Sequence, residues 1–430
     1  MQVSLTKNYQ KDTLTNKNDK AIILFIGLAL WLIIPILGIF PLILFIHLNQ
    51  KPKSKLNFLV SLIVIFTITI FTSSADVISD LAVYVDNYGN LGRQTPFEIS
   101  GSNGLEFVMW VVSYPIYRIS DGSNYAFIFF WCFVFNAMTF WVIAKGFSPK
   151  NYGLLLFFIV ANPVYFSFQV FLVRQYIATL LFLLAVINLE RKPVMWGFYL
   201  LSLFTHVANI IYLPLLLLYN KLGLLKNKIV IAFCILAGAM VPFRDDAIIV
   251  WAKRVTSFLP AQYAAIIVNK TGYYGREPTG ESDLGITLIE NLVILLVILL
   301  LLKKQKFKTP QEKFLVFIYP ILFFLMYLGK DIHMFSNRVA FLLFPFGGLF
   351  CCLIIEHDWK IFKKFIITLL LTVKILYLNY YLYNLSMGNN LFNFLDGQVY
   401  NSTIIDYVED AAHKFTEDVK IKQLPSRSII

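Results

Sequence analysis

Five separate hydrophobic blocks of this chain are interrupted by, or end on, a strongly polar group: Asp80, Glu106, Arg174, His206 and Arg338. At membrane depth an ionisable side chain costs roughly 2.5–3.5 kcal/mol on insertion scales. Five such sites imply a polar chamber inside an apolar scaffold. The sharpest stretch is Phe171-Leu172-Val173-Arg174-Gln175-Tyr176-Ile177-Ala178, where an Arg-Gln pair opens a long apolar run. A guanidinium keeps its proton, and its fork matches phosphate oxygens bidentately. The plainer reading of Arg174 is snorkelling to an interface. Arg338, in Ser336-Asn337-Arg338-Val339-Ala340, repeats the arrangement. Two arginines from two helix ends could clamp a pyrophosphate and stabilise its departure.

The other polar positions supply complementary chemistry. Asp80, Tyr84 and Tyr88 share one face if their stretch is helical. A carboxylate with phenols suits sugars, as acceptors for hydroxyls and aromatic faces for ring C–H groups; a capping Asp within an interfacial aromatic belt is the alternative. Glu106 could be a general base for a sugar hydroxyl, or a helix N-terminal acid favoured by the macrodipole. His206, in Phe204-Thr205-His206-Val207, could act as a base or bond a phosphate, or be a hydrogen-bonded structural residue. A polar loop adds Lys253-Arg254 and Gly272-Tyr273-Tyr274-Gly275. Arg254, Tyr273 and Tyr274 could lie over a glycan or an anionic headgroup, or belong to an amphipathic surface helix.

These residues need an apolar scaffold to hold them. The 430 residues are 58% hydrophobic and 14% charged. Candidate spans are 21–48, 57–75, 124–145, 152–170, 172–189, 194–219, 228–243, 283–302, 314–329, 334–355 and 361–383. Apolar runs of about 17–25 residues cross a bilayer as helices, so an all-α polytopic membrane protein with about 10 to 12 crossings is expected. The division is a polar N-terminal segment 1–20, a membrane domain 21–384 with an external loop 244–282, and a polar C-terminal segment 385–430. No cleavable signal peptide is expected, because the first 20 residues lack an apolar core. The four cysteines sit in apolar runs without metal-ligand spacing, so neither a zinc site nor a disulfide framework is indicated. A P-loop, a dinucleotide fingerprint and a nucleophile elbow are all absent from the sequence.

The formal charge of +12 comes largely from lysines in short loops, such as Lys51, Lys53 and Lys55, Lys145 and Lys150, and Lys303 to Lys308. That is the positive-inside pattern, not a nucleic-acid footprint. With those loops in the cytoplasm, Asp80, Glu106, His206, Arg254 and Arg338 fall on or near the outer side, and Arg174 lies near the outer end of its helix. Segment 104–120 is short and should lie in the interface or re-enter. Segment 194–219 begins and ends on the basic side, so it should be a hairpin with its apex near Thr205-His206. Segment 21–48 fits either a hairpin or one long tilted helix.

Asp80 with Tyr84, Glu106-Phe107, Arg174-Gln175 with Ala178, Thr205-His206, and Arg338 before an apolar helix resemble, in order and spacing over residues 76–345, the Wzy-type polysaccharide polymerases, specifically their EpsG-like members. The resemblance implies an inverting glycosyltransferase on the outer face of the bacterial inner membrane. Its donor is a glycan on undecaprenyl pyrophosphate, and its acceptor is the terminal sugar of a second lipid-linked repeat unit. Arg174 and Arg338, with Gln175 and Arg254, would hold pyrophosphate. His206 or Glu106 would deprotonate the acceptor, and Asp80, Tyr84, Tyr88, Tyr273 and Tyr274 would meet sugar. Neither a cofactor nor a metal is required, because arginines can supply the charge stabilisation. Membrane lipid, a flippase and a chain-length regulator are the further partners implied; nucleic acid is not. Competing readings are an O-antigen ligase, a lipid-linked glycan flippase or transporter, and a membrane acyltransferase.

Overall fold

The computed structural model describes residues 17–49, 54–99, 106–146, 152–171, 173–218, 310–328 and 393–421, with scattered positions between 254 and 381. Among them every regular element is a helix, as the composition requires. Two, α3 (Lys55–Ser73) and α7 (Asn124–Gly146), are long and apolar enough to cross a membrane by themselves. The expected spans 228–243, 283–302 and 334–355 lie outside the described residues, apart from Leu295. The chain forms two compact units, one from residues 1–180 with 365–423 and one from 181–364 with 424–430.

The first unit opens with a helical hairpin, which decides between the two readings of 21–48. Helix α1 (Lys17–Ile33) ends at Ile34, and α2 (Pro35–Leu48) starts with proline. Proline excludes its predecessor from the α region and lacks the N–H that a first helical residue leaves unused, so the chain breaks there and restarts. The arms close tightly. A Cβ on Gly38 would run into the Trp31 backbone, and one on Gly27 would lie 2.9 Å from Leu42. Small residues of this kind let helix backbones approach where lipid gives no hydrophobic drive for helices to associate.

Helices α3 and α7 run antiparallel: Ser73 Oγ meets Tyr125 Oη at 3.0 Å, and the rings of Phe66 and Phe133 are 5.2 Å apart. The start of α3 meets the end of α2 through an Asn49–Asn57 side-chain bond of 2.7 Å. The first turn of α8 (Tyr152–Val160) touches the same place, since a Cβ on Gly153 would lie 2.5 Å from the His47 backbone. The helix ends flanking the basic stretches near residues 50 and 150 therefore gather at one end of this unit.

The span expected over 152–170 is two helices. Helix α8 stops at Val160, and α9 (Pro163–Phe171) restarts after Asn162. Pro163 cannot continue the ladder of α8, which explains the interruption. Nine residues reach roughly 13.5 Å, so the two in series carry the chain away from the basic end. Hydrogen bonds fix where they arrive. Gln169 Oε1 accepts from Thr72 Oγ1 (2.9 Å) and Asn136 Nδ2 (2.8 Å), and Tyr165 Oη donates to Asn136 Oδ1 (2.6 Å). Thr72 is near the last turn of α3, so Gln169 stands at the end opposite the basic one.

At that opposite end lie α4 (Ser79–Gly89), the single turn α5 (Pro96–Ile99) and α6 (Val108–Ile119). The twelve residues of α6 agree with a short segment that does not cross. Helix α10 (Val173–Ile187) begins there too.

The second unit contains the later turns of α10, then α11 (Lys192–Thr205), a 3-10 stretch (Val207–Ile211), α12 (Tyr212–Leu218) and α13 (Pro310–Leu328). The Phe182 ring stacks on Tyr212 at 4.0 Å and meets Tyr199 at 6.5 Å. Residues on both sides of His206 thus reach one ring, as the expected hairpin requires.

The segment from residue 393 packs on the first unit. Phe394 stacks on Phe71 at 4.7 Å, and Leu395 N–H donates to Ser74 Oγ at 2.9 Å. Helix α14 (Ile404–Glu417) follows, started by a reciprocal cap between Thr403 and Asp406.

Candidate functional site

Three segments of the first unit converge on Arg174. Helix α10 begins at Val173 and presents it from the first turn. Glu106, just before α6, sets Oε2 2.8 Å from Arg174 Nη1. Helix α4 brings the ring of Tyr84 to 5.4 Å from the guanidinium carbon. Glu106 is buried, with a side chain 5% exposed against 20% for Arg174. The guanidinium is therefore oriented by an anion at one edge and an aromatic face beside it. Cation–π contacts contribute about 0.5–2 kcal/mol. Removing one partner of a buried ion pair costs about 3–5 kcal/mol, because the remaining charge is left uncompensated.

The pair does not exhaust the arginine. Its Nε is buried and has no hydrogen-bond partner among the described residues. Most buried polar atoms in folded proteins are bonded, so a donor left this way calls for an explanation. Gln175 is buried next to it, and its carbonyl accepts from Thr179 Oγ1 at 3.0 Å.

The α4 face carries its three residues at different depths. Asp80 is half-buried in the first turn, and Tyr84 is buried against Arg174. Tyr88 is fully buried: its hydroxyl lies 3.2 Å from Ser120 Oγ, its ring stacks on Phe127 at 4.5 Å, and it meets Tyr117 edge-on at 5.3 Å. Tyr88 thus ties α4 to the α6–α7 turn.

His206 belongs to the second unit. Its backbone is extended (φ −152°, ψ 113°) where α11 stops, and its ring is buried. Its N–H donates to Ser202 O at 3.0 Å, and its carbonyl accepts from Asn209 N–H at 3.1 Å. Asn209 Nδ2 donates to Ser202 Oγ at 2.6 Å, and Tyr199 Oη to the Asn209 carbonyl at 3.3 Å. This set holds the turn and hence the imidazole. Arg254 is exposed, its carbonyl accepting from Ser257 Oγ at 2.6 Å. Arg338, Tyr273 and Tyr274 lie outside the described residues.

The sequence reading missed Asn136, Gln169, Tyr165 and Thr72, whose bonds position the start of α10. A signal existed: Tyr165 and Gln169 are one turn apart, as are Thr69 and Thr72, inside otherwise apolar runs. Polar side chains in such a run must bond one another across helices.

Neither the curated proteins nor the solved structures contain a match to this chain. Residues 57–395 match the EpsG family, a stretch that contains Asp80, Tyr84, Glu106, Arg174 and His206. That family is consistent with a polymerase-type function in polysaccharide biosynthesis, and with the apolar helices it indicates a membrane protein. The match covers most of the sequence, and the chain belongs to the EpsG family.

Proposed function

We propose that this chain joins lipid-linked oligosaccharide repeat units into polysaccharide by inverting glycosyl transfer, on the outer face of a bacterial inner membrane that it crosses several times. The observation that carries this reading is the half-buried guanidinium of Arg174. One edge is held by Glu106, a tyrosine face lies beside it, and its Nε has no hydrogen-bond partner among the described residues. That arrangement suits a group whose negative charge grows as it leaves.

In the reaction, the acceptor sugar hydroxyl attacks the anomeric carbon of the donor glycan. The new glycosidic C–O bond forms as the C–O bond to undecaprenyl pyrophosphate breaks, with inversion at carbon. The electron pair leaves on the pyrophosphate, where Arg174, with Gln175 and Arg338, would meet it. The acceptor proton passes to a base, His206 or Glu106. Because one Glu106 oxygen already bonds Arg174, Glu106 would also align the arginine. Asp80 and Tyr84 would orient sugar at the same end of the first unit.

The test is deletion in the native host followed by electrophoresis of surface glycan. Loss of the ladder with single repeat units remaining, restored by wild type but not by Arg174→Ala at equal protein level, supports the polymerase. Lipid-linked repeats trapped inside would indicate a flippase. Full-length polymer left on its carrier would indicate a ligase.

A further inference from the structure

Helix α14 lies beyond residue 395, where the family match ends, and no step of the proposed reaction uses it. Its fourteen residues divide into three faces. Tyr407 and Ala411 are buried against the first unit. Asp406, Glu409, His413 and Glu417 form a charged, exposed face. Between them runs an apolar exposed stripe at helical spacing: Ile405 (64% exposed), Val408 (52%) and Phe415 (47%). A helix packed on protein alone needs two faces, one apolar and one polar. The third is apolar and largely exposed, with Phe415 packed on one side only, and points to another apolar medium.

The position of the stripe identifies that medium. Helix α14 crosses the ends of α3 and α7, each long and apolar enough to span a membrane. Lys414 Nζ donates to the carbonyl of Ser74 at 3.1 Å, just past the end of α3. Phe415 sits against Tyr125 (4.6 Å) and Phe129 (5.4 Å) in the first turns of α7. Asp418 accepts from the N–H groups of Asn124 (3.2 Å) and Tyr125 (2.9 Å), capping α7. The helix therefore lies across the bundle at the level where spans end, which is the depth of an interfacial helix. It also packs on α1, whose last residues Leu32 (54%) and Ile33 (62%) expose further apolar surface. A second copy fits less well, because the acidic face beside the stripe would meet its own like charge.

We propose that α14 is an interfacial helix whose Ile405, Val408 and Phe415 enter the lipid at the end of the bundle that carries Arg174. This needs only that the chain is a membrane protein, and it stands apart from the polymerase reading. The test uses the whole chain with its four native cysteines replaced and one cysteine introduced, at Val408 or at Glu409. Each variant is labelled with an environment-sensitive fluorophore and reconstituted in phosphatidylcholine nanodiscs with or without brominated acyl chains. Both positions are exposed, so neither substitution disturbs the packed face. The Val408→Cys label should be blue-shifted and lose intensity several-fold with brominated lipid, while the Glu409→Cys label changes little. Equal, unquenched emission at both positions would overturn the proposal. So would a Val408→Cys label that responds to protein concentration and not to lipid, which would assign the stripe to a second copy.

Discussion

The buried Glu106 and the half-buried Arg174 form a pair whose energetics separate folding from chemistry. Truncating Glu106 to Ala leaves a guanidinium that is only 20% exposed without its anion. The expected loss for such a charge is about 3–5 kcal/mol, and the partial exposure of Arg174 places this case near the lower bound, about 3 kcal/mol. Replacing both members, as Glu106→Leu with Arg174→Met, removes both charges and should recover most of that loss, because apolar side chains of similar volume substitute for a buried pair at little cost. Each protein is purified in detergent and its unfolding followed against denaturant, with the surface glycan ladder read in parallel. The single variant should be destabilised. The double variant should be near wild type in stability and without ladder. A Glu106→Ala protein within about 0.5 kcal/mol of wild type, the range of an ordinary surface change, would refute the pairing. A stable double variant that still makes a full ladder would refute the role of Arg174.

Four further outcomes are expected. Arg174→Lys keeps a cation beside Glu106 but loses the fork, so polymer formation should fall on the order of 10²-fold at equal protein level; an unchanged ladder would remove the pyrophosphate role. Glu106→Gln retains an acceptor for the Arg174 N–H, so partial activity is expected if Glu106 aligns the arginine, whereas complete loss in a folded protein would make it the base. Tyr84→Phe keeps an aromatic face beside Arg174 and should be more stable than Tyr84→Leu, which should lose the cation–π contribution, about 0.5–2 kcal/mol; equal stability of the two variants by denaturant titration would remove that contribution. The Thr403 N–H and hydroxyl hold the Asp406 carboxyl below its ordinary 3.8. This cap is therefore complete above that pH and lost as pH falls below it, which amide exchange at the start of α14 would report.

Much of the scaffold was legible because its signals are local. Apolar runs of spanning length gave the helical class, and α3 and α7 fall close to their expected bounds. Pro35 marks a helix start because a proline ring has no N–H to continue a ladder, and Pro163 does the same inside the run read as one span over 152–170. The turn at His206 followed from basic residues at both ends of one apolar block. Spacing alone could not say which member of an i, i+4, i+8 face meets a ligand and which is packed. Asp80, Tyr84 and Tyr88 form one such row, yet Tyr84 lies beside Arg174 while Tyr88 is enclosed by Phe127 and Tyr117.

The sequence by itself determined that polar groups are placed sparingly among apolar helices, and it picked out Arg174 as one that such a helix must accommodate. Tertiary structure alone decided that its partner is Glu106, that Gln169 and Asn136 fix where α10 begins, and that Asp418 caps α7 from the far end of the chain. The physical reason is the range of the forces. Helix formation and breakage depend on neighbours within a turn, whereas a buried charge or an open helix end takes whichever complementary group packing brings within about 3 Å.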